Sequence, residues 1–169
     1  MKVKTNSKKL KSSSFAQVIS LCAEKKQDYN LNKTVVKDSV GVFKFIQDLF
    51  KKTELSNVVE QFGVIYLNRS NTIIGTSIVA TGGVCQTIVD VKVIFTQALL
   101  CSATGIILWH NHPSGNLKAS DADKLLTTKI TEGAKILDMS VLDHIIIGTS
   151  VIEDDNNSFL SFADEGILN

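Results

Sequence analysis

Two histidines separated by one residue stand near the middle of this chain, followed at a short distance by a serine and an aspartate. The histidines are His110 and His112; seven residues separate His112 from Ser120, and Asp123 lies three positions further on. Two imidazoles and a carboxylate can bind a divalent ion such as Zn²⁺ and leave one coordination position open for water. The segment therefore points to hydrolytic metal chemistry.

The serine and the aspartate also have a simpler interpretation, a helix cap. Ser120 with Asp123 three residues later has the form of a capping box, and acidic residues in a first turn suit the helix dipole. Capping explains neither histidine, and two of the three histidines in the chain lie here. The spacing thus favours a metal site whose protein ligands are His110, His112 and Asp123.

An open metal site needs a base that accepts a proton from the attacking water. Glu60 is our candidate, because it comes just before the apolar run Phe62–Leu67 and follows Val58 and Val59. A carboxylate in this position is either a solvated strand end or a positioned base, and the sequence leaves both interpretations open.

The third histidine, His144, lies between Asp143 and a run of three isoleucines. Such a residue is by default a buried strand histidine bonded to its surroundings. The alternative is a role behind the metal ligands or beside the substrate. The sequence does not decide between these interpretations, and it leaves the role of Asp143 open as well.

The elements that position these residues follow from hydrophobic periodicity. The order helix, hairpin, helix, strand, helix, strand predicts a single α/β domain with a mixed β-sheet flanked by helices. In two helices we predict the buried faces to be Val91, Ile94, Phe95, Ala98 and Leu99, and Leu125, Leu126, Ile130, Gly133 and Leu137. The predicted elements are a helix from Asp38 or Ser39 to about residue 51, strands Phe62–Leu67 and Thr72–Ala80, a helix over Val91–Ser102, a strand over Gly105–Trp109, a helix from Ser120 to about Leu137, a strand over Val141–Ile147 and a short docked tail at Ser161–Gly166.

Composition narrows the class of protein. The chain has 169 residues, 44% of them hydrophobic, which suits one domain with a sizeable core. It has no apolar run long enough for a membrane span, and its first residues lack the apolar stretch of a secretory signal. The three scattered cysteines predict reduced thiols, a cytoplasmic protein and no cysteine-based zinc site.

Charge is distributed unevenly along the chain. Residues 1–53 hold 12 Lys/Arg and 4 Asp/Glu, whereas residues 54–169 hold 6 and 13. We predict a basic, partly disordered leader over residues 1–35, followed by the folded domain over 36–169. A basic leader on an acidic body indicates either weak nucleic-acid affinity or a solvated tail, and the absence of interleaved arginines or aromatics favours the tail.

With the upstream Glu60, the spacing of His110, His112, Ser120 and Asp123 resembles the JAMM motif of JAB/MPN metallopeptidases. The fuller text, His-Asn-His-Pro-Ser-Gly from residue 110 and Leu-Asp-His-Ile-Ile from residue 142, resembles the RadC branch of that family from about residue 36 to the C-terminus. The resemblance implies a cytidine deaminase-like architecture.

The same resemblance assigns expected roles. His110, His112 and Asp123 would bind zinc, Glu60 would act as general base and acid, and Ser120 would hydrogen-bond the tetrahedral oxyanion. The bond cleaved in related enzymes is an amide, often an isopeptide.

This chain departs from the RadC pattern in two places. RadC proteins commonly carry a helix-hairpin-helix module before this domain, and residues 1–35 do not contain its sequence motif. Where a Pro-Arg-Glu-type segment is usual, the chain has Val91-Lys92-Val93.

Two functional hypotheses result. The first is a zinc-dependent metallohydrolase that acts on a peptide or isopeptide. The second is a non-catalytic or DNA-associated RadC-type module, with a role in DNA repair or mobile-element biology and weak DNA binding through the basic N-terminus. Metal content and salt-dependent DNA binding distinguish the two.

Overall fold

The computed structural model describes residues 34–52, 59–82, 88–148 and 158–168. Within these ranges the chain forms three helices and five strands, and the predicted mixed α/β sheet is confirmed. The elements are α1 (Ser39–Lys52), β1 (Gln61–Leu67), β2 (Ile73–Thr81), α2 (Val91–Leu100), β3 (Gly105–Asn111), α3 (Asp121–Ile136), β4 (Ser140–Ile147) and β5 (Phe159–Ser161).

The sheet has the strand order β2-β1-β3-β4-β5. Strands β1 and β2 form the predicted antiparallel hairpin, and β1 also pairs antiparallel with β3. Strands β3 and β4 are parallel and are joined through α3, so the chain between them makes a β-α-β crossover. In such a unit the loop after the first strand and the start of the helix meet at one edge of the sheet.

The two faces of the sheet are covered by different helices. On one face α1 buries Val42, Phe43 and Ile46 against strand residues that include Trp109. On the other face α2 and α3 pack over β1, β3 and β4 through residues such as Ile94 and Ile130. The strands are therefore buried on both sides, which explains why β1 and β3 have continuous apolar runs rather than alternating ones.

Caps fix where the helices begin. The Asp38 carboxylate accepts a hydrogen bond from the amide of Gly41, and the Asp90 carboxylate accepts one from the amide of Lys92. These bonds satisfy amide groups that the first helical turn leaves unpaired. The predicted starts of α1 and α2 are therefore confirmed.

The predicted inward face of α3 was partly wrong. Leu125 is 73% exposed and Leu137 is also exposed, whereas the buried positions are Thr127, Ile130, Thr131 and Ala134. Two of the four inward positions carry hydroxyl groups, so a count of apolar residues placed the buried face incorrectly.

The predicted inward position at the end of α2 was also wrong, since Leu99 is 55% exposed. Ile94 and Ala98 are the buried residues of this helix. Phe95 lies against α3 at Gly133, where a Cβ would come within 2.7 Å of its ring. The lack of a side chain at Gly133 thus lets α2 and α3 approach closely.

The strand β5 was not predicted as a strand. It pairs antiparallel with β4, and the segment after it is held by Asp143. The Asp143 carboxylate accepts hydrogen bonds from the Ser161 hydroxyl at 2.6 Å and from the Ala163 amide at 3.0 Å. Asp143 thus joins β4 to the docked tail, which answers the question that the sequence left open about this residue.

Several predictions fall outside the described residues. These are the basic leader over its first 33 residues and two of the three cysteines, Cys22 and Cys85. Among the residues that the structure describes, no helix is long and apolar enough to cross a membrane.

Candidate metal centre

The two histidines of the central motif meet at the end of β3. His110 is the penultimate residue of the strand and His112 follows its last residue, so their side chains project to the same side of the sheet. Their Nε2 atoms are 2.8 Å apart. Asp123, in the first turn of α3, brings Oδ1 to 3.5 Å from the His110 Nε2. In the described part of the chain, these residues form a group that could hold a metal ion.

Asp123 serves the helix cap and the candidate site at the same time. Its Oδ2 accepts hydrogen bonds from the amide of Ser120 at 2.8 Å and from the Ser120 hydroxyl at 2.6 Å, and the Asp123 amide donates to that hydroxyl. The other oxygen, Oδ1, is the one that faces His110. The cap and the metal ligand are therefore not competing interpretations, because the cap orients the carboxylate that faces the site.

A chain of hydrogen bonds fixes the tautomer of His110. The Thr127 hydroxyl lies 2.6 Å from the backbone oxygen of Asp123, and a carbonyl oxygen can only accept, so the hydroxyl donates there. Its single hydrogen is then used, and it must accept from Nδ1–H of His144 at 2.7 Å. Nε2 of His144 consequently has a lone pair and accepts from Nδ1–H of His110 at 2.8 Å. The Nε2 of His110 is left with a lone pair that points to the site.

The tautomer of His112 follows from a single contact. Its Nδ1 hydrogen-bonds to the backbone oxygen of Asn116, which can only accept, so Nδ1 carries a hydrogen, and in the neutral ring that metals bind Nε2 then carries a lone pair. Both Nε2 atoms of the histidine pair thus present lone pairs to each other at 2.8 Å. Two such lone pairs repel unless a cation lies between them.

The distances test whether a metal ion fits. Zinc binds imidazole nitrogen at about 2.0–2.1 Å, so two tetrahedral ligands stand about 3.4 Å apart. The separation of 3.5 Å between His110 Nε2 and Asp123 Oδ1 matches this value, and the two Nε2 atoms need to separate by roughly half an ångström. His112 follows β3 and is only partly buried, so it can make that adjustment. The donor set therefore fits a tetrahedral ion.

Burial favours the neutral form of His110 and of His144, and a neutral imidazole is the form that binds metals. Burial lowers the pKa of His110 to about 4, against an opposing effect of the Asp123 charge. The pKa of His144 lies well below its usual value, first because of burial and then because of the neighbouring histidines. His144 is fully buried and is edge-on to the ring of Phe62, which also stacks on His110. His144 is thus a buried strand histidine bonded to its surroundings, as in the default interpretation, and the residue that it bonds to, His110, is a candidate metal ligand.

Ser120 lies beside the site, at the N-cap of α3. Its hydroxyl hydrogen is donated to Asp123, so hydrogen bonding to an oxyanion would require the hydroxyl to rotate away from that carboxylate. The structure thus shows directly that Ser120 orients Asp123, and its expected role towards an oxyanion stays a prediction.

Glu60 lies one residue before β1, partly buried. Its backbone oxygen accepts from the amide of Gly82, and its neighbours Val59 and Gln61 are bonded to the side chain of Asn111. Among the described residues, the group of three candidate ligands does not include Glu60. Its assignment as the base stays a prediction.

Two residues of the site, Thr127 and Asn111, were missed from the sequence. Thr127 lies four residues after Asp123, one helical turn further along the same face, and that spacing could have identified it. Asn111 lies between the two histidines, but nothing in its spacing indicates the long-range contact with the segment around Glu60.

Comparisons with known proteins agree with the motif. A family model described as RadC-like JAB domain matches residues 36–167. A protein of Flavobacterium johnsoniae is 46% identical over 109 residues, which cover 64% of this chain and 44% of that protein. A protein of Methanosarcina acetivorans is 38% identical over 109 residues, with the same coverage of both chains.

A third relative, from Escherichia coli strain K12, is 36% identical over 109 residues, covering 64% of this chain and 69% of its own length. It is named UPF0758 protein YeeS, and the other two are named UPF0758 protein. These names state no activity. The matched region spans less than half the length of the Flavobacterium and Methanosarcina proteins.

Proposed function

The chain belongs to the RadC-like JAB domain family, and on that premise we propose that it is a zinc-dependent metallohydrolase that cleaves amide bonds of the peptide or isopeptide kind. Its five-stranded mixed sheet with helices on both faces is consistent with a JAB/MPN fold. One observation carries the proposal: the donor atoms of His110, His112 and Asp123 lie within 4.8 Å of one another, close enough to bind a single ion.

The chemistry of the donors supports zinc in particular. Two imidazole nitrogens and one carboxylate oxygen suit zinc, and three protein ligands leave a position for a reacting group. When bound, such an ion supplies Lewis-acid activation of water and of the scissile carbonyl. Hydrolysis needs no electron transfer, so a metal without redox chemistry is sufficient.

The protein groups perform the remaining tasks. His110 and His112 bind the ion as neutral imidazoles, and the carboxylate of Asp123 adds the negative charge that strengthens the binding. Glu60 accepts a proton from the attacking water and returns it to the leaving nitrogen. Ser120 reorients its hydroxyl from Asp123 towards the oxygen that becomes negative in the transition state.

Metal analysis of the purified chain is the first experiment. We expect about one zinc per chain, with that content reduced strongly in Asp123→Asn and retained in Glu60→Gln. Asp121→Asn is a matched control, because this carboxylate lies in the same helical turn, is fully exposed and forms an ion pair with Lys124. A chain that neither carries nor takes up a divalent metal would show that the proposal is wrong.

The second experiment concerns the bond that is cleaved. Zinc-loaded chain is incubated with a library of internally quenched peptides and of peptides joined through a lysine side chain. We expect cleavage by the wild type and none by Glu60→Gln, although that variant retains its metal. If both proteins release the same products, the cleavage comes from a contaminant.

The uneven distribution of charge along the sequence supports a second candidate function, that of a DNA-associated module. The basic residues of the first third of the chain would bind phosphates, so affinity for DNA should fall steeply with salt and disappear when residues 1–35 are deleted. No binding at low salt would exclude this function.

A further inference from the structure

We infer that Asn111 is a positioning residue that fixes Glu60 relative to the two histidine ligands, and this inference rests on the proposed function. Asn111 separates His110 from His112 in the sequence and is 2% exposed. Its side chain is not a metal ligand, since side chains alternate along β3 and that of Asn111 projects from the opposite side of the strand.

The side chain of Asn111 bonds to the backbone on both sides of Glu60. Nδ2 donates to the backbone oxygen of Val59 at 3.1 Å, and Oδ1 accepts from the amide of Gln61 at 2.7 Å. These groups belong to the two peptide units that flank the Glu60 Cα. One amide side chain thus restrains both planes whose orientation sets the direction of the Glu60 Cα–Cβ bond.

The neighbouring backbone reinforces this restraint. The backbone oxygen of Glu60 accepts from the amide of Gly82 at 2.8 Å, at the end of β2. Phe62, two residues after Glu60, is paired with His110 in the β1–β3 register and stacks on its imidazole. Glu60 precedes β1 by one residue, and continuing the alternation of the strand by that one residue gives it the face of Phe62 and of the candidate ligands.

The chemistry of the proposed reaction requires such a restraint. A general base has to lie within hydrogen-bond reach of the proton that it accepts. Glu60 precedes β1, whereas the two histidines lie at the end of β3, about fifty residues later in the sequence, so local structure alone does not set their distance. The amide of Asn111 supplies both a donor and an acceptor, which this pair of backbone groups needs.

The test compares Asn111→Ala with a matched control, Asn68→Ala. Asn68 also bonds to two backbone groups, the amides of Ser70 and Thr72, but at the turn that follows the other end of β1. Both substitutions remove two hydrogen bonds from an asparagine side chain. Only the Asn111→Ala substitution should change the position of Glu60.

Two measurements report the position of Glu60 without any substrate. The first is the hydrogen-exchange rate of the Gln61 amide, which we expect to rise at least about fivefold in Asn111→Ala and to stay unchanged in Asn68→Ala. The second uses Co²⁺ in place of zinc: the paramagnetic shifts of Glu60 resonances should change in Asn111→Ala, while those of Thr127 and the bound-metal stoichiometry should not.

Turnover, once a substrate is found, should fall about 10- to 100-fold in Asn111→Ala through kcat rather than KM. Unchanged Glu60 shifts and Gln61 exchange in Asn111→Ala, or equal changes in Asn68→Ala, would overturn the inference. If the wild type takes up no metal, the proposed function fails, and the Gln61 exchange rates still decide whether Asn111 holds this segment.

Discussion

The Nδ1 atom of His110 lies 2.8 Å from the Nε2 atom of His144, and the hydrogen between them belongs to His110. The assignment follows from the Thr127 hydroxyl, which donates to Asp123 and therefore accepts from His144. His110 consequently presents a lone pair to the other two candidate ligands. One fully buried histidine thus decides which tautomer of another histidine faces the candidate metal site.

Replacing His144 should weaken metal binding without removing a ligand. In His144→Leu the Nδ1–H of His110 loses its acceptor, and we expect the zinc dissociation constant to rise about 10- to 100-fold. His144→Gln offers an amide oxygen as acceptor and should recover part of the affinity. Competition with a chromophoric chelator measures both values; equal affinities for wild type and His144→Leu would contradict the relay.

Thr127→Val should leave the buried Nδ1–H of His144 without an acceptor. We expect a loss of about 1–3 kcal/mol in the free energy of unfolding together with weaker metal binding. Thr127→Ser keeps the hydroxyl and should retain the affinity. The control is Thr131→Val on the same helix, because the buried Thr131 hydroxyl has no hydrogen-bond partner among the described residues and its loss should cost little. Urea unfolding of the wild type and the three variants measures these free energies. Similar losses in both valine variants would argue against the hydrogen bond from His144 to Thr127.

Ser120→Ala should affect stability and the site together. Loss of the N-cap is expected to lower the free energy of unfolding by about 1 kcal/mol. The same change frees the Asp123 carboxylate, so metal affinity should also fall. Ser120→Thr keeps a hydroxyl and should restore both. Urea unfolding and chelator competition measure the two effects, and a Ser120→Ala protein that loses only turnover would mean that the cap does not orient Asp123.

Acid should destabilise the metal-free protein in the range where free histidines titrate. The pKa values of His110, about 4, and of His144 lie below the ordinary value of 6.5, so below pH 6.5 the unfolded chain binds more protons than the folded one. The contribution of these two histidines to the free energy of unfolding is therefore present above pH 6.5 and is lost as the pH falls. Between pH 7.5 and 5.0 we expect a loss of roughly 2–4 kcal/mol in the free energy of unfolding.

Urea titrations at several pH values measure this loss in metal-free protein. His144→Gln contains one buried histidine fewer and should lose roughly half as much as the wild type. A stability that is flat over this pH range would mean that both histidines titrate normally in the folded chain.

A helix or strand could be predicted from the sequence where residues close together in the chain were sufficient to define it. The hairpin was predicted from two neighbouring apolar strands, and the four residues between them, Asn68–Asn71, form its turn, where the Asn68 side chain accepts from two backbone amides. The start of α3 followed from Ser120 and Asp123. The inward face of α3 could not be predicted in this way, because Thr127 is buried for its hydrogen bond to His144 rather than for hydrophobicity.

The sequence by itself determined the identity of the candidate ligands, because residue types and a spacing of two along an extended strand bring two imidazoles to one side. Only the tertiary structure decided the tautomer of His110 and the environment of Glu60. Both depend on contacts between distant segments: His110 and His144 are 34 positions apart in the sequence, and Gln61 and Asn111 are 50 positions apart. Hydrogen bonds of this kind depend on how the strands and α3 pack, and no local pattern encodes that packing.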